Sequence, residues 1–229
     1  MSGRILPETM RRHLQMYLVV GSVNCLAEPN RVVQEALAGG TTMIQFREKG
    51  RSALTGVPMF KLARQLQDLC HHAGIPFIVN DDVELALELN ADGVHIGQDD
   101  ESADSVRTRI GNRILGVSAH TIEEARRAIL QGADYLGVGP IYPTISKDDA
   151  QAVQGPAILH EMRKAGIDLP IVGIGGITVD RVEEVVGAGA DGVAVISAVT
   201  QAKQIRAAAE ELKKKVVLSI NHPGMSPKL

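Results

Sequence analysis

The chain has 229 residues, 45% of them hydrophobic but only 3% aromatic and none of them Trp, with a formal net charge of -3 at pH 7. One barrel-sized domain fits this length and two ordinary domains would be cramped, and a core so poor in aromatics must be built from Val, Ile, Leu and Ala. The acidic balance excludes a basic field for nucleic acid, no apolar run of about 18 residues is present to span a membrane, and Cys25 and Cys70 have neither metal-ligand spacing nor a disulfide framework, which points to a reducing cytoplasm.

Residues 1–13 are polar and charged and lack the apolar core of a leader; residues 1–14 are expected to add an N-terminal helix packed beneath the rest of the domain. From residue 15 onward short apolar runs alternate with amphipathic stretches. Strands are predicted at Met16–Val20, Met43–Arg47, Phe77–Asn80, Gly93–Ile96, Ile114–Ser118, Tyr135–Val138, Ile171–Ile174 and Gly192–Ile196. Helical spacing lies between them at Val32–Leu37, Lys61–His72, Ile122–Gln131, Ala157–Lys164, Val179–Val186 and Ile205–Lys215. Four junctions repeat between an Ala/Leu/Val-rich helix and a strand: Gly39-Gly40-Thr41, Asn90-Ala91-Asp92-Gly93, Gly132-Ala133-Asp134 and Gly189-Ala190-Asp191-Gly192. Gly or Asn there ends a helix in the left-handed conformation and a short turn starts the next strand. Eight such units predict a single (βα)₈ TIM barrel over residues 15–220, with a tail at 221–229 whose two prolines and glycine favour fraying. An open doubly wound sheet would need a glycine-rich turn after its first strand, and Gly21-Ser22-Val23-Asn24 does not supply one.

Barrel chemistry collects where strands run into loops. After the second strand comes Gln45-Phe46-Arg47-Glu48-Lys49, in which a period of two puts Gln45, Arg47 and Lys49 on one face and turns Phe46 toward the helices. Inward cations need an anionic partner, which a rim salt bridge with Glu48 could also provide. The third strand ends Asn80-Asp81-Asp82 and the fourth runs into Gln98-Asp99-Asp100. One or two carboxylates plus substrate phosphate and water suit magnesium, and Asp81 and Asp100 are assigned as ligands. Spacing alone does not decide which Asp of each pair turns inward, because Asp82 with Glu84, or Asp99 with Glu101, could simply start a helix.

Ser118, at the end of the fifth strand, could donate to a ligand or cap the helix near Thr121. His95 sits mid-strand, and a satisfied core role is favoured over a ligand contact. The long loop after the sixth strand carries Thr144, Ile145, Ser146 and Lys147, and Asp148-Asp149 suggest a solvated outer part able to act as a lid. The seventh strand ends Gly175-Gly176 and the eighth Ile196-Ser197. Barrels often hold phosphate between these two loops on backbone N–H groups. No zinc spacing and no Ser/His/Asp arrangement stands out.

These stretches, together with His95-Ile96-Gly97-Gln98-Asp99-Asp100 and Gly139-Pro140-Ile141-Tyr142-Pro143-Thr144, resemble the thiamine-phosphate synthase family over nearly the whole barrel. The resemblance implies a transferase that condenses 4-amino-2-methyl-5-hydroxymethylpyrimidine diphosphate with 4-methyl-5-(2-hydroxyethyl)thiazole phosphate. It implies pyrimidine diphosphate contacts from Gln45, Phe46, Arg47, Glu48, Lys49, Asn80, Ser118 and Lys147, with magnesium (Mg2+) on Asp81 and Asp100. Thiazole phosphate contacts are implied at Thr144, Ile145, Ser146, Gly176, Ile196 and Ser197. Ser146 departs from the family's usual Thr but keeps the hydroxyl. In the implied catalytic set, Arg47, Lys49 and Lys147 would with magnesium stabilise the diphosphate that leaves first, Ser118 would help position the pyrimidine, and the thiazole nitrogen would then capture the cation. A TenI-like thiazole tautomerase would need only the phosphate site, and a non-catalytic phosphate-ligand binder would need no leaving-group electrostatics. Small molecules are the expected partners, with no nucleic acid and no membrane; a homo-oligomer is left open.

Overall fold

The computed structural model describes residues 3–144, 146 and 152–221. Its eight strands are β1 (Met16–Val20), β2 (Met43–Phe46), β3 (Phe77–Asn80), β4 (Gly93–Ile96), β5 (Ile114–Ala119), β6 (Tyr135–Val138), β7 (Ile171–Ile174) and β8 (Gly192–Val195). They pair in parallel in sequence order and close β8 onto β1, giving the expected (βα)₈ barrel. The helix expected at the N-terminus is α1 (Pro7–Leu14), which lies against β1, β7 and β8 and buries Met10 and Leu14 under the barrel floor. Around the barrel run α2 (Pro29–Ala38), α3 (Gly56–His72), α4 (Val83–Leu89), α5 (Ala103–Ile110), α6 (Ile122–Leu130), α7 (Ala157–Lys164), α8 (Val182–Gly187), the one-turn α9 (Ser197–Thr200) and α10 (Ile205–Asn221).

Several boundaries move. Arg47 and Ile196 lie just past the ends of β2 and β8, Arg47 still donating its N–H to Val20 O at 2.8 Å, whereas β5 keeps pairing through Ala119↔Val138. The stretch Val179–Val186 opens as a 3₁₀ turn, Val179–Arg181, before α8. Helix α10 continues to Asn221 because Leu212 and Val216 stay buried along its inner face, so residue 221 belongs to the helix and not to a tail. Residues 222–229 lie outside the described residues.

The Asp of the repeated junction does more than start a strand. Asp92, Asp134 and Asp191 each accept a hydrogen bond from an N–H at the start of the preceding strand, at Phe77, Leu115 and Ile171, over 2.8–2.9 Å. For two of them an arginine from the helix before last completes the joint. Arg107 Nε donates to Gly132 O and its Nη2 to Asp134, while Arg163 Nε donates to Gly189 O and its Nη2 to Asp191. The N-terminal arm uses the same two acceptors, Arg4 on Asp134 and Arg11 on Asp191. Carboxylates so buried require such pairing, since an uncompensated charge there is costly.

The barrel interior departs from an all-aliphatic expectation. Tyr17 and Tyr135 meet edge to face there, ring centres 6.0 Å apart, among Met43, Ile78, Val172 and Ala194. Glycines make the room: a Cβ on Gly116 would fall 2.1 Å from Tyr135 Cζ. The outer face of the strands is largely the aliphatic layer foreseen, Leu18, Ile44, Val79, Val94 and Leu136 against the helices, with Phe46 and Phe77 among them.

Candidate active site

At the C-terminal ends of the strands the barrel opens into one cavity of about 720 Å³. Its acidic wall comes from β3 and β4. Asp81 takes a left-handed backbone, φ 61°, which turns its side chain inward, and its N–H donates to His95 O at 2.8 Å. Asp82 follows as the N-cap of α4, accepting from Leu85 N at 2.9 Å. That settles the first ambiguous pair: Asp81 lines the cavity and Asp82 holds a helix. In the second pair both Asp99 and Asp100 line the cavity; Asp100 Oδ2 accepts from Gly97 N at 2.7 Å and its carboxyl reaches Asp81. Burial, and then this second carboxylate, raises the pKa of Asp81, while Lys49 Nζ at 3.1 Å pulls it back. Two crowded carboxylates with one lysine on hand suit a hard, oxygen-loving dication that keeps water and phosphate oxygens as its other ligands. Among the described residues no cluster of three or more His, Cys, Asp and Glu forms a metal cage.

The cationic wall is the stretch that follows β2. Arg47, 5% exposed, and Lys49 both line the cavity. The other members of that stretch do not. Phe46 stacks on Phe77 in the outer layer. Gln45 points down the barrel and donates to Tyr17 Oη at 2.7 Å. The Glu48 carboxylate accepts from Ser22 N, Ser22 Oγ and Leu54 N at 2.8, 2.5 and 2.8 Å, lashing the loops that flank Arg47 and Lys49. Asn80 also faces the cavity.

Ser118 leaves helix capping to Thr121, whose side chain accepts from Glu124 N. It lines the cavity instead, with its Oγ 3.0 Å from His95 Nε2 and its carbonyl accepting from Gln98 Nε2. On the opposite wall, Ile141 N and Tyr142 N donate to Ile174 O and Gly175 O, so the loop after β6 rides along β7. That brings Thr144 and Ser146 to the cavity and Ser146 Oγ to 3.1 Å from Ser197 Oγ. Gly176, at φ 62°, and Ile196 complete this side. Ile145, Lys147 and the Asp148-Asp149 lid lie outside the described residues.

Two lining residues, His120 and Arg181, escaped the sequence reading, and His95 combines the two roles weighed for it. His95 does face the cavity, as a satisfied histidine that is also a wall of the site. His120 Nδ1 bonds the Gly139 carbonyl at 2.7 Å. Arg181 Nη1 donates to Gly176 O at 2.6 Å and its guanidinium lies 4.5 Å from the Tyr142 ring centre, which braces the glycine turn. Its only sequence signal is a cation five residues beyond a Gly-Gly pair.

The model of the thiamine monophosphate synthase family matches residues 16–199, the whole strand-bearing part of the barrel. A thiamine-phosphate synthase of Geobacillus thermodenitrificans is 59% identical over 92% of this chain and 95% of its own length. One from a Bacillus cereus strain is 53% identical over 99% of each chain. Among solved structures, a thiamine phosphate pyrophosphorylase from Pyrococcus furiosus superposes with a TM-score of 0.82 at 36% identity, covering 92% of this chain and 99% of that one.

Proposed function

The chain belongs to the thiamine monophosphate synthase family and is an enzyme that forms thiamine phosphate, and from that premise we propose how the cavity divides the work. The pyrimidine diphosphate sits against Arg47, Lys49, Asn80 and Ser118, and the thiazole phosphate against Thr144, Ser146, Gly176 and Ile196-Ser197. The observation that carries this division is the polarity of one cavity: crowded carboxylates beside two cations on one wall, paired hydroxyls and a glycine turn on the other.

Asp81 and Asp100 would hold magnesium, which when bound would supply Lewis-acid neutralisation of diphosphate charge. Arg47 and Lys49 are placed to stabilise the negative charge that grows as the C–O bond to the diphosphate breaks and its electron pair leaves with the oxygen. The substrate carbon, now cationic and delocalised over the aminopyrimidine, takes the lone pair of the thiazole nitrogen to form the C–N bond. The second wall fixes that nitrogen within reach through its phosphate, a gain in proximity and orientation. No protein nucleophile is needed. Lys147 and Ile145 extend the two subsites in this proposal, and water has to be kept from the cation. The free thiols Cys25 and Cys70 suit a reducing cytoplasm. No helix among the described residues is long and apolar enough to cross a membrane.

The test is direct. Purified protein given both substrates and magnesium should release thiamine phosphate and diphosphate in equal amounts, and chelation should stop it. Isomerisation of the thiazole without condensation, independent of magnesium, would overturn the division of the cavity in favour of a tautomerase.

A further inference from the structure

Beneath the cavity the barrel holds a line of buried polar side chains. Gln45 Nε2 donates to Tyr17 Oη at 2.7 Å, Tyr17 Oη lies 2.8 Å from Tyr135 Oη, Tyr135 Oη 2.9 Å from His95 Nδ1, and His95 Nε2 3.0 Å from Ser118 Oγ. The tyrosines are at most 1% exposed, Gln45 3% and His95 8%. Glycines keep the line open: a Cβ on Gly137 would stand 2.9 Å from His95 Cε1, and one on Gly116 would stand 2.4 Å from His95 Nδ1. Burial also pushes both phenols above their ordinary range, so each keeps its proton.

With the Gln45 amide nitrogen facing Tyr17, the protons in this line point one way. Tyr17 receives an amide proton from Gln45, so its own proton has Tyr135 as acceptor; the reverse would strand a buried hydroxyl, a costly loss. Tyr135, already accepting, must then give its proton to His95 Nδ1. That fixes the imidazole as the Nε2–H tautomer, which donates to Ser118 Oγ. The Ser118 hydroxyl is left to donate into the cavity.

We infer that Gln45, Tyr17, Tyr135 and His95 form a one-directional hydrogen-bond chain that presents the Ser118 proton to an acceptor atom of the pyrimidine diphosphate. The inference rests on the placement of that substrate proposed above. Ser118 touches the substrate; His95 and Tyr135 are positioning residues that act through it. Because every member is preset in a buried site, the donor reaches the transition state with little reorganisation.

The experiment pairs kinetics with histidine tautomer assignment in full-length protein labelled with ¹⁵N-histidine. Long-range ¹H–¹⁵N correlation, with His95→Gln identifying the resonances, should show His95 as Nε2–H in the wild type and as a tautomer mixture in Tyr135→Phe. Tyr135→Phe and His95→Asn should each lose roughly tenfold in kcat, the scale of an outer-shell positioning loss, with KM for thiazole phosphate unchanged. His95→Gln, whose amide nitrogen can stand where Nε2 stood, should recover most of the rate. A wild-type Nδ1–H tautomer overturns the chain whether or not any variant folds. So does full kcat in Tyr135→Phe and His95→Asn while Ser118→Ala is slow. Full turnover in Ser118→Ala instead removes the underlying substrate placement.

Discussion

Gly176→Ala tests whether the turn after β7 sets the position of the whole thiazole phosphate wall. At φ 62° an alanine pays about 1–2 kcal/mol for the left-handed conformation. Its methyl would stand 2.5 Å from Pro143 O and 2.9 Å from Tyr142 Cβ, so the loop after β6 must move. Such overpacking costs a further 1–3 kcal/mol or so, about 2–5 kcal/mol together, or a fall in melting midpoint of roughly 4–20 °C for a chain of this size. Pro143 directly precedes Thr144, and the displaced loop carries Thr144 and Ser146 away from Ser197. A shift of order 1 Å at a positioning group can cost up to about 100-fold. The expected kinetic signature is therefore a kcat/KM for thiazole phosphate reduced roughly 10- to 100-fold, with KM for the pyrimidine diphosphate nearly unchanged. Gly166→Ala is the control, because that glycine is also left-handed, φ 81°, yet a Cβ there meets nothing within 4 Å; it should show only the conformational loss. Steady-state kinetics with each substrate varied, alongside thermal denaturation, read both effects. If Gly176→Ala matches Gly166→Ala in both measurements, the steric argument is wrong.

Asp81→Asn should raise the melting midpoint of metal-free protein while abolishing most turnover. Asp81 has a raised pKa, so its contribution is fully present below the unfolded value and lost as pH rises through the folded one. Removing the charge should therefore stabilise at pH 7, by about 2–4 °C for each 1 kcal/mol relieved, and the gain should vanish in acid; a lower midpoint in chelator at pH 7 would contradict this. Asn also tolerates the left-handed backbone, which Ala would strain. Glu48→Gln should lose roughly 1.5–3 kcal/mol in denaturant titration, the range of a bond to a charged group, and raise KM for the pyrimidine diphosphate by loosening the loops around Arg47 and Lys49. Unchanged KM would show that those loops hold without it. Arg107→Ala and Arg163→Ala each remove one of two arginines from equivalent joints and should destabilise by similar amounts, below the roughly 3–5 kcal/mol of a buried charge left wholly unpaired, because Arg4 and Arg11 stay on the same carboxylates. Markedly unequal losses in the same titration would refute the equivalence.

The sequence by itself determined the architecture and the cast of residues at the mouth. Periods of two and 3.6 are local properties, so the strands at Met16–Val20, Phe77–Asn80 and Ile171–Ile174 could be read directly, and short Gly/Asn junctions allowed only a steady βα repeat. Only the tertiary structure decided the pairings. Asp81 turns inward and Asp82 caps because one residue adopts φ 61°, a backbone choice invisible in Asn-Asp-Asp. Glu48 turned from the cations beside it to Ser22, 26 residues away, and Arg181 found its place by reaching back to the glycine turn. Tyr17 and Tyr135 read as two scattered aromatics until barrel closure set their hydroxyls 2.8 Å apart across 118 residues of chain. Hydrophobic spacing fixes which face of an element is buried; which polar group meets which is fixed by closure, because an unpaired polar atom inside the barrel is too costly to leave.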